Sequence, residues 1–219
     1  MMIKLYGVPG TRSARVSWTL TELGLDYEFQ PILLRAGEGQ SAAFQKLNPL
    51  GKVPVLVDEG QVLTESTAIM SYLADRYGRG ALIPEPGSLL RAQHDALAVF
   101  AVAELEQPLW LAARHSFLYP EAYRVAEILP STHSEWKRAS RALEHHLERS
   151  DGPYVLGSMF CVADIALAHV LRWAGNAKYA LSDALQGYAE RCYARPAAQA
   201  FQAREEQAMQ LRRQQAETD

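Results

Sequence analysis

The feature that most limits how this chain can fold is a change of hydrophobic period near residue 78. Before it, short apolar runs alternate with helical spacing; after it, helical spacing alone recurs. Ile3 to Val8 is a compact apolar run closed by Pro9-Gly10, which predicts a buried strand. From Ser13 to Leu23, the residues Val16, Leu20 and Leu23 share one helical face, and Gly24 supplies a stop. Tyr27 to Leu34 reads as a second strand. Pro31 inside it has no N–H for a ladder, which assigns that strand to a sheet edge. Strand, helix, strand in this order predicts a crossover with a parallel pair. Val53 to Val57 and Gln61 to Thr64 then flank Asp58-Glu59-Gly60 as a hairpin. A helix follows from Ser66 to Tyr77, with Ile69, Leu73 and Tyr77 near helical spacing and Gly78 beyond.

That order, β-α-β then β-β-α, is the arrangement of a thioredoxin-like α/β domain over residues 1–78. Residues 79–88 hold Gly80, Pro84, Pro86 and Gly87, the composition of a linker. From 89 to 219 the sequence predicts an all-α helical bundle. Leu89 to Phe117 is rich in Ala and Leu, with a kink expected at Pro108. Ser131 or Thr132 could cap the next helix, Thr132 with Glu135 having capping-box spacing, and that helix is expected to reach about Ser150. Val162 to Trp173 is apolar outside Asp164, His169 and Arg172, as a central buried helix requires. Ser182 through Phe201 is helical with a break at Pro196, and the Gln-rich end from Arg204 is expected to be frayed or exposed. No apolar run is expected to reach the roughly 18–20 residues of a membrane span.

Charge narrows the function classes. The net charge is −3 and basic residues are interspersed with acids, so nothing recommends nucleic acid or an anionic membrane as a partner. Two cysteines, Cys161 and Cys192, form no C-x-x-C pair, and no spacing suggests a metal site. The N-terminus enters a strand directly, without the pattern of a signal peptide. A cytoplasmic, reducing location is therefore the expectation.

Several short stretches then point the same way. Leu5-Tyr6-Gly7-Val8-Pro9-Gly10-Thr11-Arg12-Ser13-Ala14-Arg15-Val16 resembles the first strand, active-site loop and first helix of cytosolic glutathione S-transferases. Asn48-Pro49-Leu50-Gly51-Lys52-Val53-Pro54-Val55-Leu56 resembles the segment with which that family binds the glutathione backbone. Glu65-Ser66-Thr67-Ala68-Ile69 resembles its motif at the next helix. In the second half, Gly157, Phe160, Ala163-Asp164-Ile165-Ala166 and Ala194-Arg195-Pro196-Ala197 are similar to family positions in the same order. The resemblance spans nearly the whole chain and is to the bacterial type, with a Ser/Thr loop rather than a Cys loop.

The resemblance implies glutathione as co-substrate, a small hydrophobic electrophile as second substrate, and a homodimer. Aligned through Pro9-Gly10 and Ala14-Arg15, the family's delta-type catalytic serine falls on Thr11, with Ser13 as the second choice for the hydroxyl that meets the sulfur. Tyr6, inside the strand, reads as packing. Arg12 would add positive potential near the sulfur or lie solvated. The peptide before Pro54 is cis in the family and turns Val53 toward the cysteinyl backbone of glutathione. Ser66 would hold the γ-glutamyl carboxylate at a helix N-terminus, and Glu65 its ammonium. Lys52 and Gln40 would face the glycyl carboxylate. Trp110, Arg114, His115, Phe117 and Tyr119 are candidates for the electrophile pocket. His145-His146 reads as an exposed helix face.

One position departs from the family. Where relatives carry Ser or Thr three residues before Asp164, this chain has Cys161, a poorer acceptor for a capping box. Asp164 reads as structural, and Cys161 as a small buried hydrophobe. Two other uses of the same site stay open: glutathione-dependent reduction of disulfides or peroxides, and a non-catalytic interaction protein on the same fold. The zeta-type isomerase reading is disfavoured, since the loop lacks a serine-cysteine-serine signature.

Overall fold

The computed structural model describes residues 2–218. Two compact units emerge: Met1–Ile83 together with Tyr193–Asp219, and Pro84–Cys192. This differs from the expected division at residues 78–89 in one respect: the last helix belongs with the sheet.

In the first unit the elements are β1 (Ile3–Gly7), α1 (Ser13–Glu22), β2 (Tyr27–Pro31), a short α2 (Ala42–Gln45), β3 (Val55–Asp58), β4 (Gln61–Thr64), α3 (Ser66–Tyr77) and α9 (Pro196–Thr218). The sheet order is β2-β1-β3-β4, with β1 and β2 parallel and the other pairs antiparallel. Pro31 pairs with Gly7 at the end of the edge strand β2, where its missing N–H costs no ladder bond. β2 stops there and does not reach Leu34, because Leu34–Ala36 turns into a 3-10 segment. β3 begins at Val55, two residues later than the apolar run suggests, after a cis Val53–Pro54 peptide. Glu59 and Gly60 both have positive φ, the geometry of a two-residue type I′ hairpin. Asp58, buried at the end of β3, accepts from the Tyr72 and Tyr77 hydroxyls at 2.7 and 2.6 Å and so fastens α3 to the sheet.

From Arg204 the chain is not frayed but stays helical in α9 to Thr218, and it is largely exposed there, as the expectation of a frayed or exposed end allows. Ala198, Phe201, Glu205 and Met209 form one stripe at helical spacing, and all four are buried. A glutamate in the middle of that stripe hides its apolar pattern from a sequence reading. The helix packs on α1 and β2. Trp18 of α1 stacks on Phe201 at 5.7 Å, and Arg195 forks onto the Glu22 carboxylate at 2.7 and 2.6 Å. Arg204 lies 4.6 Å from the ring centre of Tyr27 in β2.

The second unit contains α4 (Leu89–Phe100), α5 (Gln107–Ala113), α6 (Leu129–Glu148) and α7 (Val162–Asn176), with α8 (Asp183–Tyr193) closing it. Between α4 and α5 a π turn at Ala101–Leu105 interrupts the helical ladder ahead of Pro108, which has no N–H to contribute. Leu89–Leu118 is, contrary to the sequence reading, long and apolar enough to cross a membrane, with mean hydropathy 1.3. Leu97, Ala101, Leu105 and Leu109 of this stretch are buried inside the unit, and 44% of the apolar window is buried. The expected cap at Thr132 is absent. α6 starts at Leu129 with a proline in its first turn, and the Thr132 hydroxyl meets Leu129 O and Tyr179 Oη instead, at 2.7 and 2.8 Å.

Every residue of α7 from Val162 to Leu171 is buried. Asp164 sits among them and is satisfied by the backbone N–H groups of Val155 and Cys161 and by the Tyr188 hydroxyl at 2.7 Å. The Cys161 thiol lies 3.1 Å from the Asp164 carboxylate as a donor, and its sulfur also accepts the Asp164 backbone N–H, so the capping box closes with cysteine in the place of Ser or Thr. Burial pushes the Asp164 pKa up, and these hydrogen bonds pull against it.

Asp164→Ala leaves several buried donors without an acceptor, and we expect a loss of about 3–5 kcal/mol in urea unfolding. Glu205 makes the opposite case. Burial raises its pKa from 4.5 to about 7, so between those values the folded chain holds a proton that the unfolded chain has released. Stability therefore falls as pH rises through that window, by up to roughly 3 kcal/mol. Glu205→Gln should be more stable than wild type above that window, and the gain should vanish on the acid side; thermal unfolding across pH measures it.

Candidate functional site

The sheet register decides which loops meet. Val55, the first residue of β3, pairs with Tyr6 on one side and Thr64 on the other. The loop after β1, the segment before β3 and the junction after β4 therefore lie at the same end of the sheet. These carry Thr11, Arg12 and Ser13, then Lys52, Val53 and Pro54, then Glu65 and Ser66.

In the first loop, the Thr11 hydroxyl donates to Val8 O at 2.7 Å and accepts the Ser13 backbone N–H at 3.3 Å. The Ser13 hydroxyl accepts the Val8 N–H at 3.3 Å and lies 3.1 Å from the Thr11 hydroxyl. The two candidates are neighbours in one small network, but they differ in access. Ser13 is fully buried, whereas Thr11 and Arg12 are half-buried. Gly7 explains how Ser13 fits. A Cβ there would come within 2.7 Å of the Ser13 Cβ and 2.8 Å of the Phe29 ring. Tyr6 packs edge-on against Phe44, as its place in the strand requires.

The second segment is folded by Asn48, which the sequence reading did not single out beyond its motif. Its side-chain amide donates to Lys52 O at 2.7 Å, and its oxygen accepts the Leu50 N–H at 3.1 Å. Gly51 adopts φ +66, and a Cβ on it would lie 2.5 Å from the Gln40 amide nitrogen. That close approach sets Gln40 beside the residue preceding Lys52; both side chains are exposed. Val53 is half-buried and its peptide bond to the buried Pro54 is cis.

At the third point Glu65 is exposed and holds φ 65, ψ 111, a conformation that costs a non-glycine residue about 1–3 kcal/mol. Ser66 opens α3, is 4% exposed, and accepts from the Arg15 guanidinium at 3.4 Å. Arg15 was missed as a site residue. It is completely buried in α1, and a charged side chain on a helix of otherwise apolar or small residues was the available signal. Together these groups leave a helix N-terminus and a buried guanidinium at one corner of the sheet, and a strained acidic residue beside them. Such a corner suits a carboxylate.

Within the second unit, Arg114 lies 5.9 Å from the ring centres of both Trp110 and Tyr119, and His115 meets Tyr119 edge-on at 5.3 Å. Phe117, in the π turn Arg114–Leu118, is 66% exposed. His145 and His146 border a groove of about 620 Å³ on α6, where His146 Nε2 lies 3.0 Å from Val155 O. Among the described residues no group of three or more His, Cys, Asp or Glu could hold a metal ion.

Known proteins match both units. Residues 1–75 match the family described as Glutathione S-transferase, N-terminal domain, and residues 106–196 match Glutathione S-transferase, C-terminal domain. Glutathione S-transferase Z2 of Arabidopsis thaliana is 33% identical over 175 residues, covering 80% of this chain and 77% of the relative. Among solved structures, a glutathione transferase from Methylococcus capsulatus superposes with a TM-score of 0.82 at 33% identity, over 93% of this chain and 98% of that one. The glutathione transferase URE2P6 of Phanerochaete chrysosporium, solved with oxidized glutathione, gives a TM-score of 0.79 at 25% identity, over 94% and 97%. With sheet order, loop placement and both domain families in agreement, the chain belongs to the glutathione S-transferase superfamily.

Proposed function

We propose that this chain binds glutathione along the end of its sheet, stabilises the thiolate with the Thr11 hydroxyl, and directs it at a small hydrophobic electrophile. Val53 pairs with the cysteinyl backbone in the manner of an added strand. Ser66 and the first turn of α3 take the γ-glutamyl carboxylate, with Arg15 supplying positive charge beneath Ser66, and Glu65 takes the ammonium. Lys52 and Gln40 face the glycyl carboxylate, and Arg12 adds positive potential at the loop. A structure of a relative bound to oxidized glutathione supports the ligand.

The observation that carries the choice of hydroxyl is the difference in burial. Ser13 is sealed over Gly7 and holds the Val8 N–H, whereas Thr11 keeps a half-exposed position beside it. A bound thiolate would take the Thr11 proton in place of the Val8 carbonyl. The Ser13 hydroxyl, 3.1 Å away, then donates to Thr11 Oγ1 and strengthens it as a donor. A free thiol ionises near ~8.5, and lowering that by about two units takes roughly 2.7 kcal/mol. A hydrogen bond to a charged acceptor supplies about 1.5–3 kcal/mol, which is the size required.

The reaction places the chain in a reducing compartment, in keeping with two free, buried cysteines, and we assign it to the cytoplasm as a homodimer. Light scattering of the purified chain tests the dimer, which a monomeric mass would exclude.

Thr11→Ala should raise the pH midpoint of the bound thiolate toward that of free glutathione and lower kcat/KM for chlorodinitrobenzene by about 10- to 100-fold. Thr11→Ser should restore both. Ser13→Ala should instead cost about 1–3 kcal/mol of stability by orphaning the Val8 N–H. Turnover in a glutathione–disulfide exchange assay without any conjugation would overturn the transferase assignment in favour of reduction. A folded chain with no glutathione uptake by calorimetry would leave only an interaction protein.

A further inference from the structure

Glu205 stands where the last helix reaches the sulfur-handling loop. Its carboxyl is 2% exposed and accepts the Ser17 hydroxyl at 2.6 Å, and the backbone N–H of Gly10 faces it and favours its charged form. Gly10 immediately precedes Thr11 in the loop, at φ +73, and Ser17 lies one helical turn beyond Ser13 on α1. One carboxylate therefore holds both the loop and the helix into which it runs. Bulk packing does not do this work from the same side. A cavity of about 170 Å³ lies between the loop residues Val8 and Pro9 and the α9 residues Glu206, Met209, Gln210 and Arg213.

Among the described residues no ion pair to Glu205 is found, so no salt bridge explains its burial. The neighbouring charge that acts on it is Glu206, on its own helix and of the same sign. From α1, Arg15 is directed at Ser66 and Glu22 is bound by Arg195. From β2, Glu28 pairs with Lys4 and Tyr27 lies under Arg204. On α9, Arg212 pairs with Glu38, and Arg213 lines the cavity. A methionine or leucine would complete the Ala198–Phe201–Met209 stripe at lower cost, so the carboxylate is a poor device for mere helix docking.

We propose, resting on the transferase reading above, that Glu205 is a positioning residue for sulfur activation: it anchors the Gly10 N–H and the Ser17 hydroxyl, and through them fixes where Thr11 presents its Oγ1. Glutathione does not touch it. The anchor is stronger as a carboxylate than as a neutral acid, because charged acceptors make the stronger hydrogen bonds. Burial brings its pKa to about 7, so loop order is gained as pH rises through neutrality, opposite in sign to the effect of the same group on global stability.

The test uses the full chain in two arms. In the first, without glutathione, the Gly10 and Thr11 amide resonances are followed across neutral pH. The wild-type Gly10 signal should titrate with a midpoint near 7, and in Glu205→Gln it should stay flat. In the second, Glu205→Ala should lower kcat by about tenfold and raise the thiolate midpoint while KM for glutathione changes less than about twofold. Glu205→Gln, which keeps a carbonyl acceptor, should recover most of kcat but lose the pH step. A Gly10 amide that does not titrate in the wild type overturns the proposal, even if Glu205→Ala fails to fold. So does Glu205→Ala with wild-type kcat and thiolate midpoint. A titrating Gly10 amide in a wild-type chain that takes up no glutathione ends the transferase reading and the sulfur role with it, but keeps the anchor.

Discussion

Pairing of Tyr6 and Thr64 with the same residue, Val55, converts three segments far apart in sequence into neighbours. Because side chains alternate faces along a strand, a slip of one residue in either ladder would turn Leu5 and Leu56 out of the core. The hydrophobic pattern of the strands therefore fixes the loop positions as a by-product of burying the core. Each loop then needs local devices to hold its own shape: the Thr11–Ser13 pair in the first, Asn48 and Gly51 in the second, the positive φ of Glu65 in the third.

A second set of groups at this end is polar and buried, and two of the three are satisfied by partners from distant segments. Ser13 takes the Val8 N–H, Arg15 reaches Ser66, and Glu205 reaches Gly10 and Ser17. A buried polar group costs stability unless its partners are in place, so each such group ties the position of one segment to that of another. The same end of the sheet carries the strained backbone at Glu65. A strained residue and a buried charge beside the proposed site, against ordinary apolar packing at Leu5, Leu56, Ile69 and Leu73, are what a fold that carries a site is expected to show.

Much of this was legible in the sequence, for reasons that also explain what was not. Strands and helices of the first 78 residues were readable because each carries apolar residues at its own period and most are bounded by a turn residue. The segments proposed to bind glutathione stood out because their residue types sit in short, local motifs. Thr132 misled because capping-box spacing says nothing about a proline two residues earlier that can begin the helix sooner. Arg15, Glu205 and the placement of α9 were hidden for a common reason. A charged residue inside an apolar stripe reads as solvated until its partner is known, and each partner here lies far along the chain: Ser66 for Arg15, Gly10 and Ser17 for Glu205. Nor could local pattern rank Thr11 against Ser13, since the distinction between them is burial over Gly7 and not residue chemistry.

The placement of α9 changes what counts as the glutathione-binding unit. Trp18 is 1% exposed because Phe201 and Tyr193 cover it, and Glu22 keeps its buried carboxylate because Arg195 forks onto it. A chain ending near residue 83 would retain every residue proposed to touch glutathione, yet would open an indole face and leave Glu22 without its guanidinium. It would also release the Gly10 N–H. Long-range closure of this kind is slow to form, since residues near 17 and 205 must meet before either gains anything. On the proposed roles, the loop that carries Thr11 is completed by the far end of the chain, by a helix that begins 185 residues later, at Pro196.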